Sequence, residues 1–243
     1  MQKYMWFLSL MGLLHAEECS LLILCYHTFS PHLQSPYNFS PDTFSNHILT
    51  IQKAWYRFVS WQDVTNNTLT GTKNILITID DGNTSVRTIE ALLDEMGIKP
   101  ILFIYPAIIG KVPYALTWED LDRMKAKGWT IGAHGYNHLF INQQLYENDR
   151  KAFYREIRYS KQVLEKKTSE NIILFGFPFG VYSPLTIEPL RQEGYRYAFT
   201  IVRKPALWPP SDPYRIPRYL MTPSMWNHLA KLLTNTNHIA LKE

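Results

Sequence analysis

The sequence predicts a single α/β domain, folded as a distorted (β/α)7, TIM-like barrel. Apolar runs rich in β-branched residues alternate along the chain with helical patterns, and polar residues directly follow several of those runs. A length of 243 residues suits one large domain, and no change in composition marks a linker. An open, doubly wound sheet fits the alternation equally well. The polar residues favour the barrel, because catalytic groups gather at the carboxyl ends of barrel strands.

The candidate strands are short apolar runs, and their near-continuous apolar character indicates a parallel sheet that is covered on both faces. They occupy residues 21–26, 74–79, 100–105, 129–133, 171–177, 195–202 and 238–241. The helical patterns lie between them, at 42–55, 84–96, 118–127, 147–167, 184–193 and 224–233. Phe44, Ile48 and Ile51 share one face of the first helix, and Gly97 follows the second as a C-cap.

Residues 1–16 are typical of a secretory signal peptide, with Lys3 in a short basic region followed by an apolar stretch. We expect cleavage after Ala16, a mature domain of residues 17–243, and export to the periplasm, the cell surface or the medium. The apolar stretch is short for a bilayer, so we expect no stable membrane span after cleavage. Leu14 is a poor residue before a cleavage site, which leaves open an uncleaved anchor. A buried N-terminal helix is the structural alternative.

The composition excludes two classes of protein. A hydrophobic share of 46% with 14% aromatic residues excludes a disordered chain. A formal net charge of +4 is too dilute to indicate a nucleic-acid partner.

Cys19 and Cys25, the only cysteines, would lie roughly 20 Å apart on an extended segment, so we predict two free thiols. The context of Cys19 also argues against a lipid anchor.

Two adjacent carboxylates, Asp80 and Asp81, end the strand at 74–79, and such a pair requires a cation, a shared proton or open water. His134 and His138 follow another strand and supply two imidazoles. One carboxylate with two imidazoles suits zinc, cobalt, nickel or iron, and open positions on such a cation can activate a water. Separately, each pair is more often structural, for example a turn at Asp81-Gly82. Together they predict a metal site, with Asp80 available as a general base.

Three motifs carry a family resemblance: Thr78-Ile79-Asp80-Asp81-Gly82, His134-Gly135-Tyr136-Asn137-His138 and Phe175-Gly176-Phe177-Pro178-Phe179-Gly180. They resemble the motifs of the polysaccharide deacetylase family, carbohydrate esterase family 4, over residues 21 to about 220. The resemblance implies that Asp80 is the base and that Asp81, His134 and His138 bind the metal, most simply zinc. It also implies that the backbone N–H of Phe179 faces the acetyl oxygen.

The segment Leu24-Cys25-Tyr26-His27 looks like the start of the poly-β-1,6-N-acetylglucosamine deacetylase branch, in which the general acid lies near the N-terminus. This resemblance implicates His27. It implies a secreted, metal-dependent hydrolase that releases acetate from N-acetylglucosamine units of a polysaccharide. Peptidoglycan, chitin-type oligomers and O-acetylated glycans remain open as substrates. From another class, a catalytically weak carbohydrate-binding envelope protein on the same scaffold also remains open.

The motifs depart from the family pattern at two glycines. Gly176 stands where many relatives have an arginine that orients the catalytic aspartate. Arg218 is a candidate replacement, and a solvated or core-bridging arginine is the structural alternative for it. Gly135 stands where a serine or threonine is usual. Trp208 and Trp226 are candidates for stacking on sugar rings, although large aromatic side chains more often belong to the core.

Overall fold

A curled, mostly parallel sheet forms the frame of the domain, and helices pack around it. The computed structural model describes residues 19–234. The strands in that range are β1 (Cys19–Tyr26), β2 (Arg57–Phe58), β3 (Asn74–Asp81), β4 (Ile101–Ile104), β5 (Thr130–Ala133), β6 (Leu174–Gly176), β7 (Tyr197–Phe199), β8 (Ala206–Trp208) and β9 (Tyr219–Leu220).

The helices start at side chains that cap their free N–H groups, as the Ser40 hydroxyl does for the first helix and Thr117 does for the fourth. They are α1 (Pro41–Lys53), α2 (Trp61–Thr65), α3 (Arg87–Glu95), α4 (Trp118–Ala126), α5 (Gln143–Asn148), α6 (Arg150–Tyr154), α7 (Ser160–Thr168), α8 (Pro184–Gln192) and α9 (Pro223–Thr234). Short 3₁₀ turns cover Thr84–Val86 and Pro178–Gly180, and a π-helical turn covers Arg155–Tyr159.

The distorted barrel predicted from the sequence is confirmed, and the first six predicted strands are present with shifted ends. The seventh, at 238–241, and the proposed signal peptide at 1–16 lie outside the described residues. The helix predicted at 147–167 is wrong as a single element, because α5, α6, the π-helical turn and α7 divide that region. The sequence interpretation missed β2, β8 and β9, whose two or three residues are too few to show a period.

Strand order through the sheet is β7-β6-β5-β4-β3-β1-β8. One edge of β3 is shared, since β2 pairs with Asn74 and Ile75 at its start and β4 pairs with the residues from Thr78 onward. The far edge of β1 is shared in the same way, with β8 antiparallel at its start and β9 parallel at Leu24 and Cys25. The carboxyl ends of β1 and of β3 to β7 therefore meet at one mouth of the curled sheet.

A single chain segment, residues 216–220, joins the two sides of the curled sheet. Ile216 forms a parallel bridge with Phe199 of β7, and β9, a few residues later, pairs with β1. Arg218 lies between these two contacts and is fully buried. The segment thus brings a cationic side chain to the interior of the barrel.

Alternation along the strands divides the apolar residues into two clusters. In β1, Leu21 and Ile23 belong to the cluster inside the curled sheet, whereas Leu22 and Leu24 face the surrounding helices. The same alternation in β3 sends Leu76 inward and its neighbours outward. Every second residue of a strand lies on the same face, so Thr78 and Asp80 lie on the face of Leu76. The strand therefore directs a hydroxyl and a carboxylate into the interior of the barrel.

Trp208 belongs to the inner cluster, where it packs edge-to-face against Trp61 at a centroid distance of 5.5 Å. It pairs with Cys19 at the start of β1, at the end of the barrel opposite the catalytic motifs. Trp208 is therefore a core residue, which is the alternative that the sequence analysis favours over stacking on a sugar. Cys19 and Cys25 are both buried and form no disulfide, as predicted. Among the described residues, no helix has the length and apolar character needed to cross a bilayer.

His47 of α1 is buried against α9, where it stacks on Trp226 at 3.6 Å, and its Nδ1 lies 3.1 Å from the Tyr26 hydroxyl. Burial lowers the pKa of His47 from 6.5 to about 4. Below pH 6.5 the unfolded chain takes up a proton that the folded protein refuses, so stability falls as the pH drops from about 6.5 to about 4.

We expect His47→Phe to flatten this part of the curve of unfolding free energy against pH. An unchanged slope in denaturant titrations from pH 7 to pH 4 would contradict this role.

Candidate active site

The two adjacent carboxylates at the end of β3 point in different directions because their backbone conformations differ. Asp80 continues the extended strand, and its side chain is 4% exposed inside the barrel. Asp81 has a φ of 77°, in the left-handed region that non-glycine residues seldom adopt. This turn directs the Asp81 carboxylate to the barrel mouth. The two charges can therefore serve separate roles.

Asp80 is held by a two-pronged ion pair. Nη1 of Arg218 donates to Oδ1 at 2.7 Å, and Nη2 donates to Oδ2 at 2.9 Å. The Cys25 thiol donates to Oδ2 as well, at 3.3 Å. Burial alone would raise the pKa of Asp80, but the charge of Arg218 outweighs it and holds the pKa well below its usual range. Asp80 is thus ionised at neutral pH, as a general base must be.

Three side chains at the mouth place their ligand atoms within 4.8 Å of one another: Asp81, His134 and His138. Nε2 of His134 lies 3.5 Å from Oδ1 of Asp81, and Nε2 of His138 lies 3.4 Å from the same oxygen. That oxygen is buried and has no hydrogen-bond partner among the described residues. An orphaned carboxylate oxygen facing two imidazole nitrogens is the arrangement that a cation completes.

The protonation of these groups also fits a cation. Burial lowers the pKa of His134 to about 3 and lowers that of His138, so both imidazoles are neutral and can ligate. Nδ1 of His134 is hydrogen-bonded to the Gly176 carbonyl at 2.7 Å, which turns Nε2 toward Asp81. Burial, aided by the neighbouring charge of Asp80, raises the pKa of Asp81 to about 6. A divalent cation would remove that penalty and keep Asp81 ionised.

His27 follows β1 and lies on the opposite side of Asp80 from the two histidines. One of its ring nitrogens lies within 4.8 Å of both an Asp80 carboxylate oxygen and the Cys25 sulfur. Its Nδ1 is buried without a hydrogen-bond partner in the described part of the chain. The ring packs beside Tyr37 at a centroid distance of 5.4 Å. His27 is therefore near enough to act on the same substrate group as Asp80.

Phe179 lies in a tight turn after β6, with a φ of 59°. The turn is closed by a bond of 2.8 Å from the Gly180 N–H to the Phe177 carbonyl, and Pro178 precedes Phe179. The Phe179 ring is 50% exposed and packs against His138 at a centroid distance of 4.6 Å. The turn is therefore in contact with one of the candidate metal ligands, His138.

The structure thus brings together all six residues that the sequence indicated: His27, Asp80, Asp81, His134, His138 and Phe179. Sequence reasoning missed Cys25 as a partner of Asp80. The signal was available, because in an extended strand Cys25 shares a face with His27. Trp226, the second candidate for sugar stacking, is half-buried, and its ring stacks on the ring of His47.

Comparison with known proteins gives a family for this geometry. The family model described as polysaccharide deacetylase matches residues 67–198, which is more than half of the chain and includes both aspartates and both metal-site histidines. The chain belongs to the polysaccharide deacetylase family. The family resemblance drawn from the three motifs is confirmed.

Two proteins, one known by its activity and one by its structure, are similar to this chain in sequence. The poly-beta-1,6-N-acetyl-D-glucosamine N-deacetylase of Staphylococcus epidermidis is 26% identical over 121 residues, covering 48% of this chain and 42% of that protein. This chain therefore matches less than half the length of that relative. The structure of IcaB from Ammonifex degensii superimposes with a TM-score of 0.77 at 26% identity, covering 88% of this chain and 97% of that one.

A third similarity concerns the fold alone. The Streptococcus pyogenes deacetylase PplD, solved in complex with acetate, has a TM-score of 0.74 at 21% identity and covers 88% of this chain and 98% of that one. The distorted barrel is thus the same in proteins of low sequence identity.

The structure explains why this family member has glycine at position 176. A Cβ there would lie 2.8 Å from Cγ of Phe103, so no side chain fits. The Phe103 ring instead lies beneath the Arg218 guanidinium, 5.0 Å from its centroid. Nη1 of Arg218 also donates to the Thr78 hydroxyl at 3.1 Å, and Nε donates to the Thr200 carbonyl at 3.2 Å. Arg218, the candidate replacement named from the sequence, therefore makes the contact to Asp80.

We expect Arg218→Met to lower the free energy of unfolding by about 3–5 kcal/mol, because it leaves Asp80 as a buried, unpaired charge. Arg218→Lys keeps the charge but loses the two-pronged geometry, so its effect should be smaller. Arg215→Met is the matched control, since Arg215 is half-exposed and pairs with Asp212 on the same segment; it should change stability by less than about 1 kcal/mol. Denaturant titration at pH 7 measures all three. Equal losses for Arg218→Met and Arg215→Met would contradict this account.

Proposed function

We propose that this protein is a metal-dependent N-deacetylase that hydrolyses the acetamide of N-acetylglucosamine units in a polysaccharide. The observation that carries the proposal is the juxtaposition of Asp81, His134 and His138, a three-ligand set, with the ionised and buried carboxylate of Asp80. Zinc is the proposed cation, with cobalt, nickel or iron as alternatives that the same ligands accept.

A cation at these ligands would supply Lewis acidity, polarising the acetamide carbonyl and lowering the pKa of a water. Asp80 accepts a proton from the water that attacks the acetamide carbon, and Arg218 keeps its carboxylate ionised and in place. The Phe179 backbone N–H donates to the carbonyl oxygen as that oxygen gains negative charge.

The acid half of the reaction belongs to His27. When the bond between the carbonyl carbon and the nitrogen breaks, the nitrogen needs a proton to leave as a free amine, and His27 donates it. Acetate and a glucosamine unit are the products. His27 lies directly after β1 and Asp80 lies on the neighbouring strand β3, with side-chain atoms within 4.8 Å of each other, which supports this division of roles.

Poly-β-1,6-N-acetylglucosamine is the proposed polymer. The support is the early position of His27 in the chain, together with the activity for which the Staphylococcus epidermidis relative is named. Peptidoglycan, chitin-type oligomers and O-acetylated glycans are the alternatives, because groups that act on an acetyl unit do not report the linkage.

Export is part of the proposal as well, with residues 1–16 as signal peptide and the domain in the periplasm, at the cell surface or in the medium. N-terminal sequencing of the exported protein would test the expected first residue, Glu17. A cell-associated product that begins at Met1 would argue for an uncleaved anchor.

The rival interpretation, a binding module on a decayed scaffold, was suggested by Gly176 and Gly135. Both glycines have a structural explanation that keeps the site complete. Arg218 replaces the arginine missing at Gly176, and a carboxylate, that of Glu156, occupies the space beside Gly135. The enzyme interpretation is therefore the better supported of the two.

We expect the purified protein to release acetate from N-acetylglucosamine oligomers, to lose that activity with a chelator and to regain it with added zinc. Asp80→Asn should lower kcat by about 10²–10⁴-fold, because the attacking water loses its proton acceptor. The control Asp122→Asn alters an exposed aspartate of α4 that pairs with Lys125, and it should retain the wild-type rate. A wild-type rate for Asp80→Asn would overturn the mechanism. Wild-type protein that binds glycan but holds no stoichiometric metal would support the binding module.

We expect kcat/KM for acetate release to be higher on β-1,6-linked than on β-1,4-linked N-acetylglucosamine oligomers at equal zinc loading. Peptidoglycan fragments and an O-acetylated glycan complete the panel. A preference for any of these substrates over the β-1,6 series would keep the deacetylase chemistry and reject the proposed polymer.

A further inference from the structure

The loop from His134 to His138 must present two imidazoles at one point, and its backbone is strained at His138. Gly135 has a φ of 73°, and His138 has a φ of 62°. For a histidine this left-handed conformation costs about 1–2 kcal/mol and persists only where the surroundings impose it. The loop therefore needs an external restraint.

The carboxylate of Glu156 supplies such a restraint through hydrogen bonds to the backbone of the loop. Its Oε2 accepts from the Tyr136 N–H at 3.0 Å and from the Leu139 N–H at 3.1 Å, and its Oε1 accepts from the Asn137 N–H at 3.0 Å. Glu156 is fully buried. Within the described chain it forms no ion pair with a basic side chain. One carboxylate thus binds three N–H groups, two in the loop and one directly after it.

The helix that carries Glu156 is shaped for this contact. Arg155–Tyr159 forms a π-helical turn between α6 and α7, and such turns are rare and occur frequently at functional sites. Just after the turn, the buried Ser160 hydroxyl donates to the Gly135 carbonyl at 2.7 Å. Donor and acceptor groups of the loop are therefore both bound by this one region.

The space beside the loop is filled by the carboxylate. A Cβ at Gly135 would lie 2.6 Å from Oε2 of Glu156, closer than real Cβ contacts. The Glu156 carboxylate therefore occupies the space that a side chain at position 135 would need, and a glycine at that position leaves the space open for it. This explains why the usual serine or threonine is missing without any loss of order in the loop.

We propose that Glu156 is a positioning residue, which acts through the N–H groups of Tyr136, Asn137 and Leu139 to hold His134 and His138 in the geometry that binds the metal. The inference rests on the proposed function, since it requires a cation at Asp81, His134 and His138. It adds a residue that lies outside the three motifs.

The test is the apparent Kd for Zn²⁺, measured by competition with a chromophoric chelator, in the wild-type protein and its Glu156 variants. Glu156→Ala leaves the loop N–H groups without an acceptor, so we expect Kd to rise about 10- to 100-fold. Glu156→Gln keeps an amide oxygen that can accept most of these bonds, so its rise should be smaller. The absorption spectrum of the Co²⁺-loaded protein should change in the same order, because it reports ligand geometry.

Glu90→Gln is the matched control. Glu90 is also a buried glutamate, but its carboxylate pairs with Arg123 at 2.9 Å and Lys127 at 2.6 Å on the outer helices. This variant should lose stability without changing the Kd for Zn²⁺. A second pair isolates the loop geometry: Gly135→Ala should weaken metal binding, whereas Gly194→Ala, with a φ of 83° but open space around it, should not.

The outcomes separate this inference from the proposed function. If wild-type protein binds no Zn²⁺, the proposed function fails and the role of Glu156 fails with it. If wild-type protein binds Zn²⁺ and folded Glu156→Ala binds it equally well, only the positioning role is overturned. If Glu156→Ala does not fold, then Glu156→Gln and Gly135→Ala decide, and wild-type Kd values for both would overturn the proposal.

Discussion

The buried pair between Asp80 and Arg218 is the interaction on which the rest of the structure depends. The two residues are 138 positions apart, and they meet because one lies on a central strand and the other on the segment that joins β7 to β1. A lone charge at either place would be strongly unfavourable, whereas the paired groups satisfy most of each other's hydrogen-bonding capacity. Barrel closure and the ionisation of the proposed base, Asp80, therefore depend on the same ion pair.

The rest of the site is ordered by main-chain conformation more than by side-chain choice. Asp81, His138 and Phe179 all have positive φ values, and all three face the barrel mouth. Backbone strain of this kind persists where surrounding contacts over-determine it. In this protein the contacts are identifiable, namely the carboxylate beneath the histidine loop and the closed turn around Phe179. The rigid frame of the barrel thus holds several unfavourable local conformations in one small volume.

Much of this arrangement could be predicted from the sequence, and the exceptions have physical reasons. The strand that leads to Asp80 carries a long apolar run, and the shorter strand that leads to His134 is followed by a cluster of polar residues, so both strands and their polar ends could be predicted. Strands of two or three residues, such as β9, have no period and exist only through their neighbours. Glu156 lies in a helix whose sequence is ordinary, and its importance comes from contacts with a loop 17 to 20 residues away. For Trp208 the sequence leaves both a core position and sugar stacking open, because composition does not show at which end of a barrel an aromatic residue lies.

The closing segment has a consequence for the order in which the molecule matures. During synthesis Asp80 leaves the ribosome well before Arg218, and until the later residue arrives the carboxylate has no guanidinium to offset its burial. A chain that lacks residues 216–220 therefore has no cationic partner for Asp80, and burying that carboxylate would be strongly unfavourable. The proposed base is thus complete only after the chain has folded through residue 220.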